Sequence, residues 1–326
     1  MYPFDFQHRP AGFEPLENEP IFDPARHLQL ERPQTVYGLD ELGYSEDVLR
    51  DAPASFAATS VFRILSDEGA ALLYDTVKSL EDFCTSNPRI ARNVRGGVYR
   101  SKFLRDLCLS QEVTKFLSDI VGLQLMPHTI PHQLGHLNYN PKTLGENVDK
   151  WHVDTLRFDY VMFVTDPKRN QGGQFQYFKG TKEEMAALKA EGQAVPPERI
   201  ISPDMSGPGY AILQQGNLVV HQAKGLTAPG ERITMVNGYI PFDPDYPDYA
   251  RYDQLCHADP AHVVTTEYSR HAAVQTKRFL EKHLIDQPFS DAQSQSAEHL
   301  EHAAEILRVA AEQIRAGKGQ MEHFGD

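Results

Sequence analysis

Apolar residues follow two periods along this chain, and the places where one gives way to the other mark its organisation. Ser66–Phe83 is amphipathic at helical spacing, with Ser66 as N-cap and Asp67 and Glu68 in an acidic first turn. Ser110–Val121 reads as a second helix and Thr181–Ala190 as a short capped one. Thr265–Ile285 and Ala292–Ala316 read as two more, the last with Leu300, Ala304, Leu307, Ala311 and Ile314 near helical spacing. In between, the pattern becomes that of strands. Phe158–Thr165 is an apolar run rich in aromatic and β-branched residues, expected to be a buried strand, and Gln174–Phe178 alternates like a half-buried one. Gly209–His221 predicts a strand, a turn over 214–217 and a second strand that ends at His221. A Pro-Gly turn within Thr227–Glu231 then leads to a strand over Arg232–Ile240. The expected class is mainly β with flanking helices. Residues 1–55 read as an extended, Pro-rich N-terminal arm with a short helix near Glu46–Asp51, 56–262 as the core, and 263–326 as C-terminal helices of the same domain. Those helices are expected to pack on the body, with a lid or a dimer contact as the alternatives.

Composition then narrows the class. At 326 residues the chain can bury a large single core. It has no apolar run of about 18 residues, so no membrane span or membrane partner is expected. Met1–Pro10 lacks a basic segment followed by an apolar one, which argues against a signal peptide and for a cytoplasmic location. Cys84, Cys108 and Cys256 show no CxxC spacing, against a disulfide scaffold or zinc ribbon and in keeping with a reducing compartment. The net charge of −13 disfavours nucleic acid as a partner. P-loop, GxGxxG and GxSxG motifs are absent. A small-molecule substrate is the expected partner.

The chemistry lies in four sparse positions: His152-Val153-Asp154, His221, and Arg232-Ile233-Thr234. In a strand, i and i+2 share a face, so His152 and Asp154 converge while Val153 turns away. An antiparallel hairpin across 227–231 would set His221 and Arg232 roughly opposite one another, with Thr234 on the Arg232 face. Two imidazoles and one carboxylate suit a single non-haem iron(II) and leave three coordination positions open. Arginine suits a second task, because its planar fork binds a carboxylate bidentately and stays charged. Each piece alone is ordinary: HxD recurs by chance, a lone histidine is commonly a packed one, and an arginine is commonly one end of a surface ion pair. Their order, their strand context, the 67-residue gap from Asp154 to His221 and the short step to Arg232 point together to an iron site.

With this HxD…H…RxS/T pattern the chain resembles the iron(II)/2-oxoglutarate-dependent oxygenases. The resemblance implies a double-stranded β-helix, the jelly-roll, cupin-like barrel, with N-terminal helices buttressing it from outside. It implies Fe(II) on His152, Asp154 and His221, 2-oxoglutarate as co-substrate with its far carboxylate on Arg232 and Thr234, and O2 as oxidant. Asn138 and His136, on the strand before the metal-bearing one, would contact the co-substrate or substrate. The implied reaction is oxidation of an unactivated C–H bond by hydroxylation, desaturation or cyclisation. Asp154 argues against halogenation, since halogenases of this family carry a small residue there. Gly172-Gly173 matches a segment common in the family, although a plain hairpin turn explains it as well. Two alternatives stay open: an iron oxidase that dispenses with 2-oxoglutarate and binds the substrate carboxylate on Arg232 and Thr234, and a non-catalytic metal-binding cupin-like protein.

The substrate is written more faintly. Phe158, Tyr160, Phe175 and Tyr177 are aromatic lining candidates, and Arg95 and Arg157 candidate anion contacts, which together suggest a small, partly anionic metabolite. Arg89–Arg100 holds four arginines and reads as a solvated basic loop, with a mobile anion-binding loop as the alternative. Strand alternation puts His128, His132, His136 and Asn138 on one face. Four residues of strand span roughly 13 Å, too far for these histidines to share a second metal.

Overall fold

The strand-forming stretches of this chain assemble into two facing sheets. The computed structural model describes residues 2–289 and 291–325, so the first residue of the expected arm and the last of the C-terminal segment lie outside it. In chain order the strands are β1 (Val36–Gly38), β2 (Phe56–Thr59), β3 (Phe62–Arg63), β4 (Asn93–Val94), β5 (Leu125–Pro127), β6 (His136–Tyr139) and β7 (Asp149–His152). They continue with β8 (Phe158–Phe163), β9 (Phe175–Phe178), β10 (Ile200–Ile201), β11 (Tyr210–Gln214), β12 (His221–Ala223) and β13 (Ile233–Pro241). Nine form one sheet in the order β1-β2-β11-β8-β13-β6-β4, with β3 on β11 and β5 on β13; β10-β9-β12-β7 form the other. The pairings are antiparallel. Antiparallel sheets closed face to face in this way make the jelly-roll, the expected double-stranded β-helix with flanking helices.

Alternation on the larger sheet separates two cores. Phe158, Tyr160 and Met162 of β8, with Met235 and Tyr239 of β13, point outward against Leu73, Val77, Phe103 and Leu104 of the N-terminal helices. Val161 and Phe163 point the other way, to meet Phe175 and Tyr177 of the smaller sheet. β8 is buried at every position, because both of its faces are covered. The outer helices start where the side-chain caps dictate. Ser66 Oγ accepts from Gly69 N–H ahead of Asp67–Leu80, and Ser110 Oγ from Val113 N–H ahead of Gln111–Val121. Thr181 and Glu184 form a reciprocal capping box at Lys182–Ala190.

Three features differ from expectation. β12 and β13 lie in different sheets, so His221 and Arg232 do not face across a hairpin; residues 224–232 cross from one sheet to the other. His221 also opens its strand rather than ending one. Finally, the C-terminal region carries an unexpected helix, Tyr252–Ala258, and its long helix, Ala261–Leu280, begins just after Pro260. Pro260 separates the two because proline can start a helix but not continue one. These two helices and Gln293–Ala316 share a core built from Tyr252, Leu255, Val264, Tyr268 and Ala310. No described helix is long and apolar enough to cross a membrane.

Candidate functional site

β7 ends at His152 and β12 begins at His221, and the two residues are cross-strand partners in the smaller sheet. Their rings lie 4.2 Å apart, centroid to centroid. Asp154 lies just beyond β7, where its N–H donates to the Gly216 carbonyl at 2.9 Å. From there its Oδ1 comes within 3.4 Å of His152 Nε2 and its Oδ2 within 3.3 Å of His221 Nε2. Such spacings suit neighbouring vertices around one ion with bonds of roughly 2.1 Å. The back of each ring is fixed. His152 Nδ1–H donates to the Lys150 carbonyl at 2.6 Å and His221 Nδ1–H to the Val219 carbonyl at 2.9 Å. A neutral imidazole carries one proton, so tying it up at Nδ1 leaves the Nε2 lone pair free for a metal.

Electrostatics agree with a ligand set. Burial would raise the Asp154 pKa, but His221 and His152 beside it hold it well below the usual carboxylate range. Burial, then Arg89, keeps His152 below its ordinary value. Burial pulls His221 down as well, but the Asp154 carboxylate wins and pushes it up to about 9. Behind Asp154 lies Asp159, fully buried in the middle of β8. Burial and the Asp154 charge push its carboxyl well above the usual range, and the Gln214 amide donates to it at 3.0 Å. The backbone comes so close here that a Cβ on Gly216 would lie 2.2 Å from Asp159 Oδ2.

The second half of the site stands on the larger sheet. Thr234 and Asn138 are paired across β13 and β6, and Val236 pairs with His136. Arg232, just ahead of β13, is 1% exposed. Its Nε donates to the Gly173 carbonyl at 2.7 Å, its Nη1 to Thr234 Oγ1 at 3.4 Å, and its face lies over Phe163 at 5.1 Å. Nη2 has no partner, and neither do His136 Nε2 and Asn138 Oδ1. Burial brings the Arg232 pKa down to about 10, still well above neutral pH. An uncompensated buried guanidinium costs several kcal/mol. Three orphaned polar atoms in one cavity mark the outline of a polar, anionic ligand. Gly172 and Gly173, expected as a plain turn, do more than reverse the chain. Both have positive φ, near +78° and +77°, and a Cβ on Gly173 would sit 3.1 Å from Arg232 Cδ.

One cavity of about 950 Å³ joins the halves, and His152, Asp154, His221, Arg232, Thr234, His136 and Asn138 all line it. Phe175 lines it too and packs 5.6 Å from the His221 ring. Phe158 and Tyr160 do not; they belong to the core on the opposite face of β8. A strand apolar on both faces gives no phase, and the β8 residue that lines the cavity is Val161, one residue out of step. Tyr177 shares the inner face with Phe175 but is packed between the sheets. Arg95 lines the cavity yet is already bound to Asp259, its Nε 2.9 Å from both carboxylate oxygens. The Arg89–Arg100 stretch is therefore not a solvated basic loop, since Arg89 pairs with Asp149 and Arg92 with Glu81. Asp149, Asp159 and Gln214 were not singled out in the sequence. A lone carboxyl inside the apolar run of β8 is the signal that could have found Asp159.

The strand expected over 128–139 is broken by a turn at Pro131–Gln133, so of the four residues expected on one face His136 and Asn138 line the cavity and His128 and His132 do not. His132 Nδ1 contacts Glu267 Oε1 at 2.8 Å instead. His128 meets Asp248 and His271 in a second buried cluster with the composition of a metal site. Its Nε2 lies 3.3 Å, and that of His271 2.9 Å, from Asp248 Oδ2. Ile130 N–H donates to His128 Nδ1 at 3.0 Å. The proton of a neutral His128 must then sit on Nε2, facing Asp248. This cluster is a hydrogen-bonded clamp, not a ligand set.

The chain matches no protein-family model and no curated protein sequence. Among solved structures it is similar to the non-haem alpha-ketoglutarate-dependent carbocyclase SnoK from nogalamycin biosynthesis, at 14% identity over 64% of this chain and 88% of that one, with a TM-score of 0.44. It is similar to EctD from S. alaskensis with 2-oxoglutarate and 5-hydroxyectoine, at 17% identity over 68% and 82%, with a TM-score of 0.43. AviO1 from Streptomyces viridochromogenes Tue57 matches at 16% identity over 65% and 98%, with a TM-score of 0.45. Likenesses at this level speak to neither ligands nor substrate.

Proposed function

We propose that this protein is an iron(II)- and 2-oxoglutarate-dependent oxygenase acting on a small metabolite. The observation that carries the reading is the conjunction, in one cavity, of two imidazole Nε2 atoms turned toward one carboxylate with a buried guanidinium whose Nη2 has no partner among the described residues. His152, Asp154 and His221 would hold the metal. Arg232 and Thr234 would hold the far carboxylate of the co-substrate, with Asn138 and His136 beside it. When bound, iron(II) and 2-oxoglutarate supply an O2-derived oxidant able to attack an unactivated C–H bond. The protein's own contribution is positional. The Lys150 and Val219 carbonyls fix the two rings, and Asp159 stands behind Asp154 with its carboxyl pushed well above the usual range.

Anaerobic loading with iron(II), followed by 2-oxoglutarate titration, tests this reading through the visible metal-to-ligand charge-transfer band. The band is expected in the native chain and absent in His152→Ala. Arg232→Gln should weaken 2-oxoglutarate binding by about 2–5 kcal/mol while leaving the metal bound. Bound iron without the band would favour an oxygenase that places the substrate's own carboxylate on Arg232. A chain that binds no iron would overturn the reading.

A further inference from the structure

The cavity contains two buried guanidinium groups that, among the described residues, no carboxylate pairs with, and on the proposed reading the co-substrate accounts for one. Arg89, Arg95 and Arg251 each have an acidic partner, namely Asp149, Asp259, and Asp253 with Glu322. Arg157 lines the same cavity as Arg232 and is 2% exposed. Among the described residues, no carboxylate lies within ion-pair distance of it. Its partners are neutral. Nε and Nη2 donate to the Pro247 carbonyl at 3.1 and 2.9 Å, and Tyr249 stacks on the guanidinium at 4.4 Å and hydrogen-bonds to it. Asp248, in the same cavity, acts on Arg157 through space without reaching ion-pair distance; its Oδ2 is shared by His128 and His271 and its Oδ1 has no hydrogen-bond partner among the described residues. Neutral acceptors orient a guanidinium without discharging it, and a buried cation in that state favours an incoming anion.

We propose that Arg157, set by Pro247 and Tyr249, is the anchor for an anionic group of the substrate, a carboxylate or a phosphate monoester. The anchor is fixed from behind, because Asp248 of the same loop is clamped by the two histidines and Asp245 is held by Lys282 at 2.8 Å. Arg157 follows Asp154 by three residues, so their backbones are at most about 11 Å apart. A metabolite of modest size can reach from one to the other. What happens at its far end rests on the oxygenase reading; the anion subsite itself does not.

The test is thermal unfolding of the full chain, both unloaded and loaded with manganese(II) and N-oxalylglycine, titrated with benzoate, phenyl phosphate and neutral benzamide. At least one anion should raise Tm by about 2 °C in the native protein while benzamide does not. The response should vanish in Arg157→Gln and persist at reduced size in Arg157→Lys, whose retained charge also controls for a folding defect. The more effective anion identifies the group. No rise with either anion, an equal rise in Arg157→Gln, or an equal rise with benzamide overturns the proposal. An anion response in the unloaded chain, together with failure of N-oxalylglycine and metal to bind, would leave the subsite standing and remove the oxygenase reading instead.

Discussion

Two buried clusters in this protein contain two histidines and one aspartate each, His152/Asp154/His221 and His128/Asp248/His271, and composition does not tell them apart. The back of the ring does. In the first, both Nδ1–H groups are given to backbone carbonyls, so the Nε2 lone pairs face inward. In the second, a backbone N–H points at His128 Nδ1, which drives the proton to Nε2 and leaves an N–H, not a lone pair, facing Asp248 at 3.3 Å. On the proposed reading the first cluster would receive a cation, while the second holds a loop. A single hydrogen bond outside the cluster, worth little in net stability, decides which.

The largest expected effect is on metal content. His221→Ala should reduce bound iron from one per chain to none after anaerobic loading, whereas His271→Ala should leave it at one by metal analysis. Two metals in the native chain would break the distinction.

Next comes stability. Asp248→Ala leaves two imidazole donors unpaired in the interior and should cost about 2–4 kcal/mol in denaturant melts. Asp154→Ala in the metal-free chain should change stability by no more than about 1 kcal/mol, since it also relieves the crowding of Asp159. A larger loss at Asp154 than at Asp248 would reverse the roles assigned here.

The smallest effect is a difference in pH dependence. His221, pushed up to about 9 against its burial by Asp154, must lose its proton to bind metal. Apparent metal affinity should therefore rise about tenfold per pH unit between 7 and 9 and then level off, measurable by calorimetry. In the metal-free chain the raised pKa gives stability that is present below the ordinary histidine value and lost as pH rises through about 9. Asp248 has the opposite sign. Burial would raise it, but His128 and His271 hold it far down, so its contribution is present above the ordinary carboxylate range and lost only in strong acid. Melts that showed acid loss in Asp248→Ala equal to that of the native chain would contradict this.

The residues that would hold the metal and the anion on the proposed reading were legible because most of them are tied to a neighbour in sequence. His152 and Asp154 are two apart, and Arg232 and Thr234 are two apart, so strand periodicity alone brings each pair together. Helices with side-chain caps, such as Asp67–Leu80 behind Ser66, were legible for the same local reason. Phe158 and Tyr160 were misplaced because β8 is apolar on both faces, and no alternation says which face looks inward. His128 was misread because Pro131–Gln133 breaks the strand that alternation had assumed.

The amino-acid sequence by itself determined the ligand types, their order, the mainly β class and the main helices, since these follow from local spacing and propensity. Tertiary structure decided the rest. It put His221 and Arg232 on opposite sheets of one cavity rather than across a hairpin, neutralised three of the loop arginines, and left Arg157 and Arg232 with no carboxylate at ion-pair distance among the described residues. Those outcomes depend on partners tens of residues away, brought close only when the sheets close and the C-terminal helices dock. Burial then makes each missing or completed hydrogen bond count, because no water is present to replace it.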